Sequence, residues 1–211
     1  MASRPADESC SRPYSLGLRA AAMNKSRARM LAAAHDLLLK RGIAEFSIDA
    51  VARKAKVTRQ TVHNQFGTRS ALLEALFDQM AQRGGLEGIA ASFRQVDPVA
   101  TLTEYVSVFA RFWSSEREMT RRIHGLAAVD SDLEKVLAAR QERRMVGSRN
   151  IVTMLSRRYG RPEPGKIETT IRVLYSLTSF EFFDALAGAD HSPEEVAPVV
   201  VKLISAFIGL V

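Results

Sequence analysis

Between Thr58 and Gln65 the chain reads TRQTVHNQ, a run of hydrogen-bond donors with no carboxylate among them. Arg59, Gln60, Thr61, His63 and Asn64 are side-chain types that bind phosphates and read base edges, because guanidinium and amide groups present paired donors to a groove. Thr58 suits a helix N-cap, its hydroxyl accepting from the N–H of Gln60 or Thr61. The apolar anchor is small: Val62 and Phe66, with Val57 as a plug just before. Other chemistry-bearing residues lack any such pattern. His124, His191 and Glu181 stand apart from nucleophile or metal-ligand spacings, and the chain contains no phosphate loop, dinucleotide fingerprint, HExxH or GxSxG. The single cysteine, Cys10, rules out an intramolecular disulfide framework and a cysteine-rich zinc site. No catalytic, metal or cofactor site is therefore expected.

The donor run needs elements to hold it. Ile48, Val51, Ala52 and Ala55 recur at i, i+3, i+4 and i+7, which predicts an amphipathic helix with Asp49, Arg53 and Lys54 outside. Lys56 and Val57 interrupt that pattern, so the stretch from Ser47 to Phe66 reads as a helix–turn–helix. Before it, a helix is expected from Ser26 to about Arg41, with Met30, Ala33, Ala34, Leu37 and Leu38 inward and Gly42 as its stop. After it, Thr68 is placed to cap a fourth helix striped by Leu72, Leu73, Leu76, Phe77 and Met80 and ended by Gly84–Gly85.

Short helix–turn–helix pairs occur throughout all-α proteins, and here the flanks narrow the choice. RARMLAAAHDLLLKRGIAEFSIDAVARKAKVTRQTVHNQFGTRSALLEALF resembles the N-terminal domain of the tetracycline-repressor (TetR-like) family over roughly residues 26 to 80. The likeness rests on Gly42, Phe46–Ser47, Ile48 with Val51–Ala52, the Val57–Thr58 turn, and Phe66–Gly67 followed by Arg69 and Leu72. Two residues depart from the family pattern. Lys56 stands where Gly or Asn is usual, at a cost of about 1 kcal/mol for a left-handed residue, and His63 stands where Tyr is usual. The resemblance implies a DNA-binding site of Thr58, Arg59, Gln60, Thr61, His63 and Asn64, with Arg69 in the place of a phosphate-contacting lysine.

The rest of the chain reads as helices. Asp97–Pro98 opens one that carries Leu102, Tyr105, Val106, Phe109 and Trp113. Ser115 with Glu118 and Ser131 with Glu134 read as capping boxes, the second helix running to Tyr159 before Gly160 and Pro162. A further helix is expected over about Lys166 to Ala187, and Ser192–Pro193 with Glu195 opens the last, which Pro198 should bend or delay. These last two helices are apolar over most of their circumference, so they must be buried on more than one side, and the extra face calls for a partner. The family resemblance implies a four-helix bundle with a second copy, with Phe183, Leu186, Val200, Ile204 and Phe207 at the homodimer interface. It also implies a cavity for a small-molecule effector. Phe109, Phe112, Trp113, Met119, His124, Tyr175 and Phe180 are the candidate wall, and an inward-turned Arg144 would select an anion.

Charge follows the same division. Net charge is +7; residues 1–80 hold 13 Lys and Arg against 7 Asp and Glu, and residues 81–211 hold 17 against 16. The excess sits where counterion release from a duplex would use it. No apolar run approaches a membrane span and no leader is apparent, so a cytoplasmic protein without membrane contact is expected. Arg4, Arg12 and Arg19 are candidate minor-groove arms in a tail expected to be disordered, within which Met23 is a second possible start.

The expected architecture is all-α, with about nine helices: a disordered tail over 1–24, a three-helix DNA-binding domain with helix-turn-helix over 25–83, and a helical ligand-binding and dimerisation domain over 84–211. The leading function is a homodimeric repressor released from a palindromic double-stranded operator by a small molecule. The rival is an all-α ligand carrier or enzyme whose N-terminal domain does not bind DNA, and a third reading is a helical protein–protein adaptor. The charge division favours the first.

Overall fold

Eleven helices, with no strand among the described residues, make up the computed structural model, which describes residues 12–159 and 166–209. They form two compact units, Met1–Thr68 and Arg69–Val211. The division falls one helix earlier than the Gly84–Gly85 break expected from sequence, because the helix after Thr68 packs on the second unit's helices.

In the first unit, α1 (Arg12–Arg41) packs on α2 (Ile48–Ala55), and α2 packs on α3 (Arg59–Phe66). Helix α1 corrects the expectation of a disordered tail to residue 24: it begins at Arg12. Its start is explained by Pro13, tolerated in a first turn, and by Ala20–Ala22 and Met23, all good helix formers that no breaker separates from Ser26. Arg4 and the residues before Arg12 lie outside the described residues. Gly42 ends α1 with φ 76°, a left-handed residue that costs glycine nothing. Met30, Ala34, Leu38, Phe46, Val51, Ala52 and Val62 bury together as the core.

The second unit comprises α4 (Arg69–Arg83), α5 (Gly88–Ser92), α6 (Pro98–Ser115), α7 (Arg117–Ala127), α8 (Ser131–Tyr159), α9 (Lys166–Leu177), α10 (Phe180–Ala187) and α11 (Pro193–Ile208). Helix α6 is its spine. Leu102, Tyr105, Val106 and Phe109 share one core with Ile151, Val152 and Leu155 of α8, Ile171 and Leu174 of α9, Phe183 of α10, and Val200 and Ile204 of α11. At the end of α4, a Cβ on Gly84 would lie 2.3 Å from Phe112 Cδ2 and 3.2 Å from its Cα, so only glycine permits so close an approach to α6.

Several helix ends differ from expectation. Asp97 and Ser192 cap as expected, Asp97 accepting from the Ala100 N–H and Ser192 forming a full capping box with Glu195, and α11 runs on through Pro198. The two other capping boxes are absent. Ser115 instead donates to the Phe112 carbonyl at 3.0 Å, ending α6, and the cap of α8 is Asp130, which accepts from the Leu133 N–H at 2.9 Å. Carboxylate caps serve as well as hydroxyls, and the residue one position earlier won. The expected helix over 166–187 is two. Ser179 turns extended and accepts from the Phe182 N–H to start α10, while the freed carbonyls ending α9 gain side-chain donors: Trp113 Nε1 reaches Thr178 O at 3.1 Å, and Arg144 reaches Tyr175 O. This break and the short α5 raise the count from about nine to eleven. The expected stop at Gly160 and Pro162 lies outside the described residues.

Candidate nucleic-acid interface and ligand cavity

Both helices of the helix–turn–helix are capped by side chains. Ser47 accepts from the Ala50 N–H at 3.1 Å to open α2, and Lys56 closes it in the left-handed conformation, φ 54° and ψ 48°, its N–H returned to the Ala52 and Arg53 carbonyls. Thr58 opens α3 by accepting from the Thr61 N–H at 3.1 Å, and its hydroxyl also meets that of Thr61 at 2.8 Å. Thr61 is thereby half-buried in the cap, whereas Thr58, Arg59, Gln60, His63 and Asn64 are exposed. The last four fall at i, i+1, i+4 and i+5, one continuous polar face opposite the fully buried Val62. Phe66, the other anchor, lies under Arg27, whose guanidinium carbon is 5.0 Å from the ring centre.

Two weak contacts hold this face in place. Arg59 Nη1 donates to Asp49 Oδ2 at 2.9 Å, and Gln60 Nε2 donates to Asn64 Oδ1 at 2.6 Å. All four groups are solvated, so each contact contributes at most about 1 kcal/mol and is readily exchanged for a base or phosphate. Behind them Asp36 joins α1 to α2 through Lys54 and also takes Lys40 at 2.7 Å; the two ammonium groups draw its carboxyl down to about 2.

Arg69 is engaged by carboxylates of its own chain. Its guanidinium makes a bidentate pair with Asp130, at 2.8 and 3.1 Å, and a further bond to Asp132 at 3.0 Å. These carboxylates flank the start of α8, so Arg69 ties the first residue of α4 into the second unit. A phosphate would have to displace them. Arg140 and Arg83 tie the same helix farther along, Arg140 to Asp78 at 2.7 Å and to the Glu74 carbonyl, and Arg83 to Glu116 at 2.9 Å.

Within the second unit lies a cavity of about 220 Å³. Six of the eight expected lining residues border it: Phe109, Phe112, Trp113, His124, Arg144 and Phe180. Two do not. Met119 is buried in the core, and Tyr175 lies beneath Arg144, its ring centre 3.7 Å from the guanidinium carbon. Trp113 organises the wall: Phe112 is at 4.6 Å, Phe180 at 5.6 Å edge-on and Phe109 at 6.0 Å stacked. Glu181, whose spacing suggested only a solvated surface or core-edge position, is exposed and also borders the cavity, where it accepts from His124 Nδ1 at 2.7 Å; that bond holds its carboxyl at about 2. Phe77 and Met80 of α4 also line the cavity, as do Leu86 and Ile89 before and within α5. The α5 residues escaped sequence reasoning because a single helical turn carries no periodicity to detect.

The expected dimer residues divide in two. Phe183, Val200 and Ile204 are 0%, 0% and 1% exposed, because they fill the core against α6, and they are not available to a second chain. Leu186 and Phe207 are exposed, and Val199 and Leu203 join Phe207 at i, i+4 and i+8 on the outer side of α11, at 45%, 44% and 50% exposure. Helix α11 thus has two apolar stripes, one spent on its own chain and one open.

Residues 30–76 match the family model described as bacterial regulatory proteins, tetR family. No curated protein matches the chain in sequence. Among solved structures, it is similar to NalD, the secondary repressor of the MexAB-OprM multidrug efflux pump in Pseudomonas aeruginosa. The two are 21% identical with TM-score 0.66, over 88% of this chain and 96% of that one. It is also similar to FadR from Bacillus subtilis in complex with stearoyl-CoA, at 12% identity and TM-score 0.68, over 84% and 96%. A protein described as a TetR-family regulator from Syntrophomonas wolfei gives 14% identity and TM-score 0.72, over 89% and 97%.

Proposed function

We propose that this TetR-type protein is a DNA-binding transcriptional regulator that represses from a palindromic operator as a homodimer and leaves it when a small molecule enters the cavity. The observation that carries the DNA-binding reading is the exposed face of α3, on which Arg59, Gln60, His63 and Asn64 project without a carboxylate of their own helix. Such a face offers paired donors to base edges, worth about 1–3 kcal/mol of discrimination per good bidentate contact.

A dimer supports two such faces. The open stripe of Val199, Leu203 and Phe207 on α11, together with the exposed Leu186 of α10, offers apolar surface that a second copy would cover by two-fold packing. Two recognition helices related by a dyad read related half-sites, hence the palindrome. Release follows from linkage: a ligand that prefers the dimer with unmatched half-site spacing weakens DNA by the same factor by which DNA weakens the ligand. Helix α4 suits that role, since it starts just after α3 in the chain and contributes Phe77 and Met80 to the cavity.

A gel-shift with the DNA immediately upstream of the protein's own coding segment is the test. A salt-sensitive shift that survives excess unrelated duplex is expected. No shift at low salt would overturn the reading and favour the ligand carrier or enzyme.

A further inference from the structure

Most of the cavity wall is apolar, and the charges that border it do not balance. Arg140 is paired with Asp78, Glu181 with His124, and Arg143, also at the cavity's edge, is exposed to solvent. Arg144 is different. Burial pushes its guanidinium below the usual arginine value, and no carboxylate among the described residues bonds to it. Its neighbours are the Tyr175 ring, the Tyr175 carbonyl and Thr178 Oγ1 at 3.5 Å, and both hydrogen bonds leave from Nη1. Among the described residues, no hydrogen bond leaves from Nε or Nη2, the second edge of the fork. A half-buried cation bonded by a carbonyl and a hydroxyl and lying on a ring face, with the nearby Glu181 carboxylate committed to His124, is poised for an anion, and a planar fork with one edge open fits a carboxylate.

The rest of the site describes the ligand's body. Trp113, Phe109, Phe112 and Phe180 present ring faces and edges at mutual distances of 4.6 to 6.0 Å, a surface that packs another ring in offset or edge-on geometry. We propose that Arg144 is the receptor for the carboxylate of a small arene carboxylate whose ring and short alkyl body lie along the Trp113 wall. This rests on the reading that the cavity takes the effector. It goes further in naming the chemical class.

The test uses the full chain and three probes of one shape: 4-butylbenzoate, 4-butylbenzamide and 4-butylbenzylamine, titrated calorimetrically. The chain has one tryptophan, and it stands in the wall, so quenching of Trp113 reports a change at this cavity. The acid should bind about tenfold or more tighter than the amide, the span of a charge-assisted over a neutral hydrogen bond, and the amine should not bind. Arg144→Gln should remove the acid's advantage and leave the amide within about threefold. Because Arg144 also holds the end of α9, the wild-type ratio of acid to amide stands as the test if that variant fails to fold. Equal affinity for acid and amide, preference for the amine, or no Trp113 response to any probe overturns the assignment. Gel-shifts on the same preparation keep the two readings apart. An amide that binds equally and releases DNA refutes the role of Arg144 and leaves the regulator standing; absence of any DNA shift without probe, with the acid preference intact, does the reverse.

Discussion

Replacing Arg69 with alanine removes a guanidinium that makes three hydrogen bonds to Asp130 and Asp132 at 2.8 to 3.1 Å. The side chains of Arg69 and Asp130 are 24% and 19% exposed, between the solvated pairs that contribute at most about 1 kcal/mol and the dry ones whose rupture costs about 3–5. A loss of about 1–3 kcal/mol is therefore expected, or about 2–4 °C in melting temperature for each kcal/mol. The hydrogen bond from Arg69 holds the Asp130 carboxyl below its ordinary value of 3.8. A carboxyl depressed in the folded state contributes its full stability above that ordinary value and loses it as pH falls through the lowered one. Wild type and Arg69→Ala should thus differ at neutral pH and converge in acid, by urea or thermal unfolding. DNA binding discriminates the competing role: a lost phosphate contact would reduce the slope of log affinity against log salt by about 0.9. The slope should not change. A reduced slope with unaltered unfolding would refute the clamp and restore the phosphate contact.

Arg59→Ala should cost about 1–3 kcal/mol at the operator and much less on unrelated duplex, measured at one salt concentration, since its bond to the exposed Asp49 is easily given up; equal losses would remove the base-reading role. Phe207→Asp should give monomers with undiminished helical circular dichroism and weakened operator binding, whereas Ile204→Ala, deep in the core, should cost about 2–5 kcal/mol of stability instead. Wild-type monomer at micromolar concentration in the ultracentrifuge would sink the proposed interface. Phe77→Ala and Met80→Ala should alter ligand-induced release more than affinity for DNA without ligand; unchanged release in both, with effector still bound, would exclude α4 as the lever.

What the residues disclosed in advance, and what they hid, divides along physical lines. Helix α2, the left-handed Lys56 and the Thr58 cap were all legible because each depends on residues within a turn of one another. The break between α9 and α10 was not. Leu174, Leu177 and Phe180 keep helical spacing straight through it, and the Ser179 cap that opens α10 is supported by Trp113 and Arg144, distant residues that supply donors to the carbonyls a broken helix exposes. The carboxylate partners of Arg69 were hidden for the same reason. Its position at the start of a helix suggests an anion, and the anions turned out to be two carboxylates more than sixty residues along the chain.

Helix α11 shows the limit most plainly. Its composition called for cover on two sides, and the chain itself covers one: Val200 and Ile204 are spent on α6, while Val199, Leu203 and Phe207 stand exposed. Which stripe faces which way is not written in the helix, because both run at i, i+4 and are built from the same residue types. The choice is made by α6, whose Leu102, Val106 and Phe109 complete a core only with the Val200 side. Apolar surface left over after that choice is what the proposed dimer would cover. A large core can thus be read from one chain's pattern, but the inner and outer faces of a doubly apolar helix are assigned only once its neighbour's shape is known.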